Sequence, residues 1–119
     1  MKKILIIEDE VDVASTLKMY LEGAGYQAEF TLDAMNGVSM AKDFDLVLLD
    51  LIMPVVSGRA VLKEMKAKKI KTPIIVLSAV GLPMTVGQEL ISMYPGLIFI
   101  KKTSMRAELL GAIDKLIGK

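Results

Sequence analysis

The sequence predicts an α/β fold, a three-layer sandwich in which a five-stranded parallel sheet lies between two layers of helices. Short apolar runs recur along the 119 residues, and stretches with helical periodicity separate them. Four of these runs are continuously apolar instead of alternating, as expected for parallel strands that helices bury on both faces. A strand followed by a helix, five times over, implies right-handed crossovers between the strands. The length suits a single domain, residues 1–119.

The five strands are expected at residues 4–7, 26–31, 46–49, 74–77 and 97–100, and the second has the weakest signal. Three helices are indicated by apolar residues at helical spacing. These residues are Val13, Leu17, Tyr20 and Leu21 in the first helix, Val61, Leu62 and Met65 in the third, and Leu109, Ile113, Leu116 and Ile117 in the fifth. The second and fourth helices are placed at residues 34–42 and 84–93.

Helix boundaries are expected at residues that are typical of caps. Gly23 and Gly25 should follow the end of the first helix, because glycine tolerates the left-handed backbone of a helix terminus. Helix starts are predicted from polar residues, namely Glu10 and Asp12 for the first helix, Ser57-Gly58 for the third, and Thr103 or Ser104 for the last.

Composition excludes several classes of function. Lys and Arg (15) nearly balance Asp and Glu (14), so the net charge of +1 offers no attraction to nucleic acid or to a membrane. The absence of cysteine and histidine excludes thiol chemistry, zinc sites and a histidine base. The N-terminal apolar run is too short for a signal peptide, so a cytoplasmic protein is expected. The lysine cluster in residues 63–71 is interpreted as a solvated helix end instead of a phosphate-binding patch.

Polar residues follow four of the five predicted strands. They are Glu8-Asp9-Glu10 after the first strand, Asp50 after the third, Ser78 after the fourth, and Lys101-Lys102 after the fifth. In an open parallel sheet, ligands bind beyond the carboxyl ends of the strands, where these residues would meet. The functional site is therefore expected at this edge of the sheet.

The acidic residues of this edge indicate a metal ion. Asp50 stands between apolar residues, where a lone buried carboxylate would be costly. Bringing Glu8 and Asp9 beside it adds like-charge repulsion, unless a cation lies among them. Oxygen ligands without His or Cys suit Mg²⁺, with Mn²⁺ as an alternative. Because Mg²⁺ commonly binds one or two carboxylates together with phosphate oxygens, a phosphoryl group could complete its ligand shell.

A carboxylate beside a metal can be the nucleophile that forms an acyl phosphate. Such a transfer needs positioning and neutralisation of the charge on the transferred oxygens. A lysine from the fifth strand could neutralise one oxygen, and the Ser78 hydroxyl could donate a hydrogen bond to another.

Over its whole length the sequence resembles the response-regulator receiver domains, the phospho-acceptor domains of two-component signalling. Glu8-Asp9 is similar to the metal-binding acidic pair of that family, and Asp50-x-x-Met53-Pro54-x-x-x-Gly58 to the signature around its phosphorylated aspartate. Ser78-Ala79 resembles its switch hydroxyl and the small residue after it. The resemblance implies a flavodoxin-like doubly wound sheet with strand order 2-1-3-4-5. Because the sequence stops directly after the last predicted helix, no output domain is expected on this chain.

The resemblance also implies roles for the residues of the site. Asp50 would accept a phosphoryl group from a histidine kinase or a phosphotransfer protein. Asp9 and Asp50 would bind Mg²⁺ directly, Glu8 mainly through water, and Ile52 through its backbone carbonyl. The chain would then be a signalling switch and not a turnover enzyme, acting on an unknown downstream protein as a monomer or as a weak phosphorylation-dependent dimer.

The lysine of the site remains ambiguous, because the proline that usually follows it in this family is missing. The family has an aromatic switch residue before this lysine and a helical leucine after it. If these are Phe99 and Leu109, Lys102 is the lysine that meets the phosphoryl group. Spacing from Ser78 slightly favours Lys101 instead. Lys102 is the preferred choice.

Three other functions compete with that of a phospho-acceptor. A dehalogenase-type hydrolase needs a second aspartate where Ile52 stands, and a flavodoxin-like nucleotide binder needs a phosphate loop where Glu8-Asp9-Glu10 would repel phosphate. A degenerate receiver that only binds proteins stays open because of the broken lysine motif. Neither Ile52 nor Val80, two residues after Asp50 and Ser78, can orient an attacking water, so a long-lived acyl phosphate is predicted.

Overall fold

The computed structural model describes residues 2–50, 55–78 and 84–118. Strands and α-helices alternate along the chain in the predicted order. Their bounds are β1 Lys3–Ile7, α1 Val11–Gly23, β2 Gln27–Thr31, α2 Ala34–Met40, β3 Leu46–Asp50, α3 Val55–Ala67, β4 Ile74–Ser78, α4 Met84–Met93, β5 Ile98–Lys101 and α5 Met105–Ile117. Short 3₁₀ turns occupy Ala41–Asp43 and Lys102–Ser104.

The strands form one parallel sheet in the order β2-β1-β3-β4-β5. The chain first adds β2 on one side of β1 and then builds β3, β4 and β5 on the other. The crossovers on the two sides therefore diverge between β1 and β3, and the carboxyl ends of these strands flank the crevice that results. The predicted fold, a doubly wound flavodoxin-like sandwich, is confirmed.

The sheet has an apolar core on each face. Strand side chains alternate between the two faces, so Leu5 and Ile7 pack towards α2, α3 and α4, whereas Ile4 and Ile6 pack towards α1 and α5. Every residue of β3 and β4 is buried. This two-sided burial explains why the strands are continuously apolar instead of alternating.

Helix α2 lies very close to the sheet. A Cβ atom added to Gly37 would come within 2.5 Å of Ile7 Cδ1 and 2.7 Å of Ile7 Cγ1, so the glycine makes room for the strand. The helix begins after Asp33, whose carboxylate accepts hydrogen bonds from the backbone N–H groups of Met35 and Asn36 at 3.0 and 3.1 Å. α2 ends at Met40, and the predicted extension to residue 42 is a 3₁₀ turn instead.

Several predicted helix boundaries are wrong. α3 begins at Val55 and not at Ser57-Gly58, because polar residues are tolerated in the first turn of a helix as well as at its cap. Glu10 and Ser104 do stand at the N-cap positions of α1 and α5, as predicted, yet neither side chain makes a capping hydrogen bond. Gly23 is the last residue of α1 and does not follow it.

One ion pair joins the helices of the same layer. Arg59 Nη2 on α3 lies 2.9 Å from Glu89 Oε2 on α4, and both side chains are partly exposed (38% and 48%). No helix in the described ranges is long and apolar enough to cross a membrane.

Candidate functional site

Sheet register places four polar strand ends side by side. Ile7 pairs with Leu49, so Glu8 and Asp50, the next residue of each strand, lie next to each other at the carboxyl edge. Asp50 pairs with Leu77, and Ser78 follows it on β4. The outer strand β5 ends with Lys101 opposite Ser78. The edge of the sheet predicted from the sequence therefore brings these residues together.

The carboxylates of this edge are almost completely removed from solvent. Glu8 and Asp50 are each 1% exposed, and Ser78 is 4% exposed. The strand residues that precede Glu8 and Asp50, Ile7 and Leu49, are fully buried. Two acidic groups thus share a site that excludes water, where a negative charge is costly unless a positive charge lies nearby.

The positive charge of the site comes from Lys102. Its Nζ lies 2.6 Å from Asp50 Oδ2, and the lysine side chain is 24% exposed. Lys102 reaches this position because β5 ends at Lys101 and the chain turns there into the 3₁₀ segment Lys102–Ser104. The Lys101 side chain is exposed. Of the two adjacent lysines, the structure brings Lys102 to Asp50.

The site changes the proton affinity of the Glu8 carboxyl group. Burial, together with the adjacent Asp50 carboxyl group, raises the pKa of Glu8 from 4.5 to about 8. Oε1 of Glu8 accepts hydrogen bonds from the backbone N–H groups of Asp9 and Glu10 at 3.0 and 3.1 Å, and the Glu10 contact opposes the rise in pKa. Glu8 therefore holds a proton at neutral pH unless a cation offsets the neighbouring negative charge.

A magnesium ion fits this pair of carboxyl groups. In the described part of the chain, no group of three or more Asp, Glu, His or Cys side chains could hold a metal ion unaided. Mg²⁺ needs fewer protein ligands, because it usually keeps several waters and takes one or two carboxylates. Asp9 is exposed beside the pair, and its backbone N–H donates a hydrogen bond to Glu8 at 3.0 Å, so Asp9 stands next to the two carboxyl groups on the solvent side.

Other residues named from the sequence have different outcomes. Ile52 and Val80 lie outside the described residues. Phe99 is partly buried and packs against the core below α2, α3 and α4. Asp12 lies in the first turn of α1, where an acidic residue is favourable for the helix dipole.

Thr31 is a polar residue at the same edge that the sequence analysis did not single out. It ends β2, is 8% exposed, and its carbonyl accepts a hydrogen bond from the Glu8 N–H at 3.2 Å. Its hydroxyl group accepts a hydrogen bond from the Asp33 N–H at 3.2 Å. The Thr31-x-Asp33 spacing is typical of such a turn and could have indicated this role. Thr31 fixes the backbone beside Glu8.

Comparisons with known proteins agree on one family. A sequence model described as the response regulator receiver domain matches residues 4–114. Response regulator SaeR of Staphylococcus aureus strain USA300 is 36% identical over 80 residues, which cover 66% of this chain and 35% of SaeR. The match therefore spans about a third of the length of this curated relative.

Solved structures show the same fold. Chemotaxis protein CheY4 of Vibrio cholerae superimposes with a TM-score of 0.81 at 24% identity, over 98% of both chains. Response regulator TrrA of Thermotoga maritima, solved in complex with Mg²⁺-BeF, gives a TM-score of 0.75 at 26% identity, over 98% of this chain and 99% of TrrA.

Proposed function

The chain belongs to the response-regulator receiver family, and on this premise we propose that Asp50 accepts a phosphoryl group from a histidine kinase or a phosphotransfer protein. The observation that supports this most directly is the contact between Asp50 and Lys102 inside a buried acidic site. A lysine in this position can move from the carboxylate to an oxygen of an incoming phosphoryl group. The site thus places a nucleophile at the end of β3 beside a counter-charge from the turn that follows β5.

In the proposed transfer, an Asp50 carboxylate oxygen attacks the phosphorus of a partner's phosphohistidine in line with the bond that breaks. The new P–O bond forms as the P–N bond breaks, and the electron pair of the P–N bond stays on the imidazole of the partner. Lys102 offsets the charge on one phosphoryl oxygen, and the Ser78 hydroxyl donates a hydrogen bond to another. The histidine that this chain lacks is thus provided by the donor.

Magnesium would be held by Asp50 and Asp9, by Glu8 through water, and by the Ile52 carbonyl, and it would neutralise the charge that develops on the transferred oxygens. Glu8 must lose its proton for this purpose. Its contacts with the backbone N–H groups of Asp9 and Glu10 then hold the carboxylate in place. The same ion lowers the repulsion between the acidic groups.

Phosphorylation is proposed to switch a surface that another protein recognises. When Ser78 and Lys102 close on the phosphoryl group, the ends of β4 and β5 move with them, together with the helices that follow. Such a change is a population shift between two arrangements. We place this switch in the cytoplasm, in a chain that works as one receiver domain, and assign it no substrate turnover.

Small phosphodonors test the proposal without the unknown kinase. The protein is incubated with Mg²⁺ and acetyl phosphate, and its intact mass is followed. A mass increase of one phosphoryl group is expected for the wild type and is absent in Asp50→Asn. Lys102→Ala should slow the labelling strongly, whereas Lys101→Ala, which changes the adjacent exposed lysine, should not.

Two outcomes would favour other functions. A protein that Mg²⁺ and acetyl phosphate never label would be a module that only binds proteins, which the missing proline after Lys102 keeps open. Steady release of phosphate from many monoesters would indicate a hydrolase. Phosphate release from the labelled protein measures the lifetime of the acyl phosphate. We expect this lifetime to be long, because neither Ile52 nor Val80 can orient an attacking water.

A further inference from the structure

A cavity lies at the opposite edge of the sheet from Asp50. It has a volume of about 340 Å³ and is formed where the chain leaves α3 and α4 to enter β4 and β5. Its lining residues, which we call the lysine groove, are Lys66, Lys69, Ile70, Lys71, Met93, Tyr94 and Pro95. Because β4 runs from this edge to Ser78, the full length of the strand separates the groove from the phospho-acceptor site.

The floor of the groove is apolar and firmly held. Ile70 and Met93 are partly buried, and both pack against the core of this face. The Tyr94 hydroxyl donates to the carbonyl oxygens of Ile70 and Thr72 at 2.9 and 2.7 Å. Burial raises the pKa of the Tyr94 phenol, so the hydroxyl stays a donor. The two chain segments that form the groove are thereby joined.

The rim of the groove is strongly basic and has no counter-charge in the described structure. Residues 63–71 contain five lysines and one acidic residue, Glu64. Within the described ranges, only Arg59 and Lys102 form ion pairs with carboxylates, so the groove lysines make none. Lys66 lies in the last turn of α3, where a positive charge is favourable for the helix dipole, so its presence needs no further reason. Lys69 and Lys71 follow the helix, and the helix dipole does not account for them.

Lys69 also occupies a backbone position at which glycine is favoured. Its φ is +56°, in the left-handed region, and its N–H bonds to the Lys66 carbonyl at 3.0 Å to close the helix. A side chain at this conformation has a steric cost that glycine would avoid. Strain of this kind is a reason to look for a role of the side chain itself.

We propose that the lysine groove binds an acidic segment of a partner protein, in which an apolar side chain enters the groove between carboxylates that meet Lys66, Lys69 and Lys71. The apolar floor takes the side chain, and the three exposed ammonium groups supply the complementary charge. A nucleotide or RNA is disfavoured, because such ligands are recognised through hydrogen-bonding groups, and the Tyr94 hydroxyl is already occupied by backbone carbonyls.

Binding at this groove does not depend on phosphorylation of Asp50. A labelled synthetic peptide in which Glu and Leu alternate serves as the probe, and fluorescence anisotropy measures its binding. The same peptide with Gln in place of Glu keeps the apolar side chains but removes the charge. Short polyphosphate, added as a competitor, tests whether the groove recognises phosphate instead. We expect the Glu peptide to bind, the Gln peptide to bind far more weakly, and polyphosphate to compete poorly.

Matched variants locate the binding. The triple variant Lys66→Glu/Lys69→Glu/Lys71→Glu should lower the affinity for the peptide by at least about tenfold. Each exposed pair of a groove lysine and a peptide carboxylate contributes a fraction of this change. Lys18→Glu/Arg106→Glu/Lys115→Glu, on α1 and α5, changes the net charge equally and should leave the affinity nearly unchanged. Asp50→Asn should bind as the wild type does. Equal weakening by both triple variants, or stronger binding of polyphosphate than of the peptide, would overturn the proposal.

Lys69→Gly distinguishes a binding role from a structural one. Glycine removes the backbone strain of a lysine in the left-handed region, so the urea midpoint should rise. Loss of the ammonium group should lower the affinity for the peptide. A variant that gains stability and binds the peptide as well as the wild type would refute a binding role for Lys69.

Discussion

Lys102 Nζ lies 2.6 Å from Asp50 Oδ2, although Asp50 ends β3 and Lys102 follows β5, two strands away in the sheet. The ammonium group crosses above the end of β4 to reach the carboxylate. It is the basic group that offsets the charge of Asp50 in the described structure, because Lys101 is exposed. Several consequences of this contact can be measured without any donor or metal.

Removal of the ammonium group should destabilise the fold. Lys102→Met keeps most of the aliphatic volume but leaves the buried Asp50 without its counter-charge, so the free energy of unfolding should fall by about 1–3 kcal/mol. Urea denaturation in the absence of Mg²⁺ measures this change. Lys101→Met is the matched control and should change the midpoint little.

A double-mutant cycle assigns the loss to the contact itself. In an Asp50→Asn background, Lys102→Met should cost much less than it does in the wild type, because no buried charge is left unpaired. Equal costs in the two backgrounds would mean that Lys102 stabilises the fold through something other than Asp50.

Magnesium binding should strengthen as the pH rises. The pKa of Glu8 is raised from 4.5 to about 8, so the carboxyl group is protonated at pH 7 and the ion must displace that proton. Affinity for Mg²⁺ should increase by more than about tenfold between about pH 6 and pH 8. Calorimetry in buffers of different ionisation enthalpy would detect the released proton. Glu8→Gln should remove most of the pH dependence.

Stability without metal should change in the opposite direction. The folded state binds the Glu8 proton more tightly than the unfolded state, so the contribution of this group is fully present below pH 4.5 and is lost as the pH rises through about 8. Urea midpoints measured across this range should fall with pH in the wild type. Glu10→Gln, at an exposed neighbour, should keep that slope, whereas a slope that survives Glu8→Gln would contradict the assignment.

Tyr94→Phe should destabilise the protein by about 1–2 kcal/mol, because two carbonyl groups lose their hydrogen-bond donor. The phenyl ring still fills the same space in the core. Thermal or urea unfolding gives the change, and Tyr20→Phe, at a partly exposed position on α1, is the control that should have little effect.

Gly37→Ala and Gly111→Ala should change stability in opposite directions. A methyl group at Gly37 meets the fully buried Ile7 and should cost about 1–3 kcal/mol. At Gly111, on an exposed part of α5, an added methyl group would meet no atom of another part of the described structure within 4 Å. Alanine should therefore stabilise the helix by about 0.5–1 kcal/mol. Equal effects at the two positions would show that helix propensity, and not contact with β1, governs Gly37.

Much of the fold follows from patterns that are local in the sequence. Each of the five strands lies within one residue of its predicted bounds, and four of them are marked in the sequence by continuously apolar runs, which are typical of parallel strands that helices cover on both faces. α4 has its predicted bounds, Met84–Met93. The errors lie at helix ends, such as the start of α3 and the end of α2, where one residue type is compatible with several backbone geometries.

The site was predictable as far as topology determines it. Asp50 and Ser78 end neighbouring parallel strands and Glu8 directly follows a third, so the strand order alone brings them together. The choice between Lys101 and Lys102 depended on spacing within a family, since two adjacent residues of one sequence do not reveal which side chain faces Asp50. Arg59–Glu89 and the Tyr94 hydrogen bonds join residues 22 to 30 positions apart and have no local signal.

The C-terminal half of α4 is held by two kinds of contact. Leu90 is fully buried, and Tyr94, just past the helix, is bound to the backbone before β4. The contact with α3 also includes the half-exposed pair of Arg59 and Glu89, an interaction that water and salt weaken readily. Added salt should therefore loosen the link between α3 and α4 without releasing the end of α4 that precedes β5.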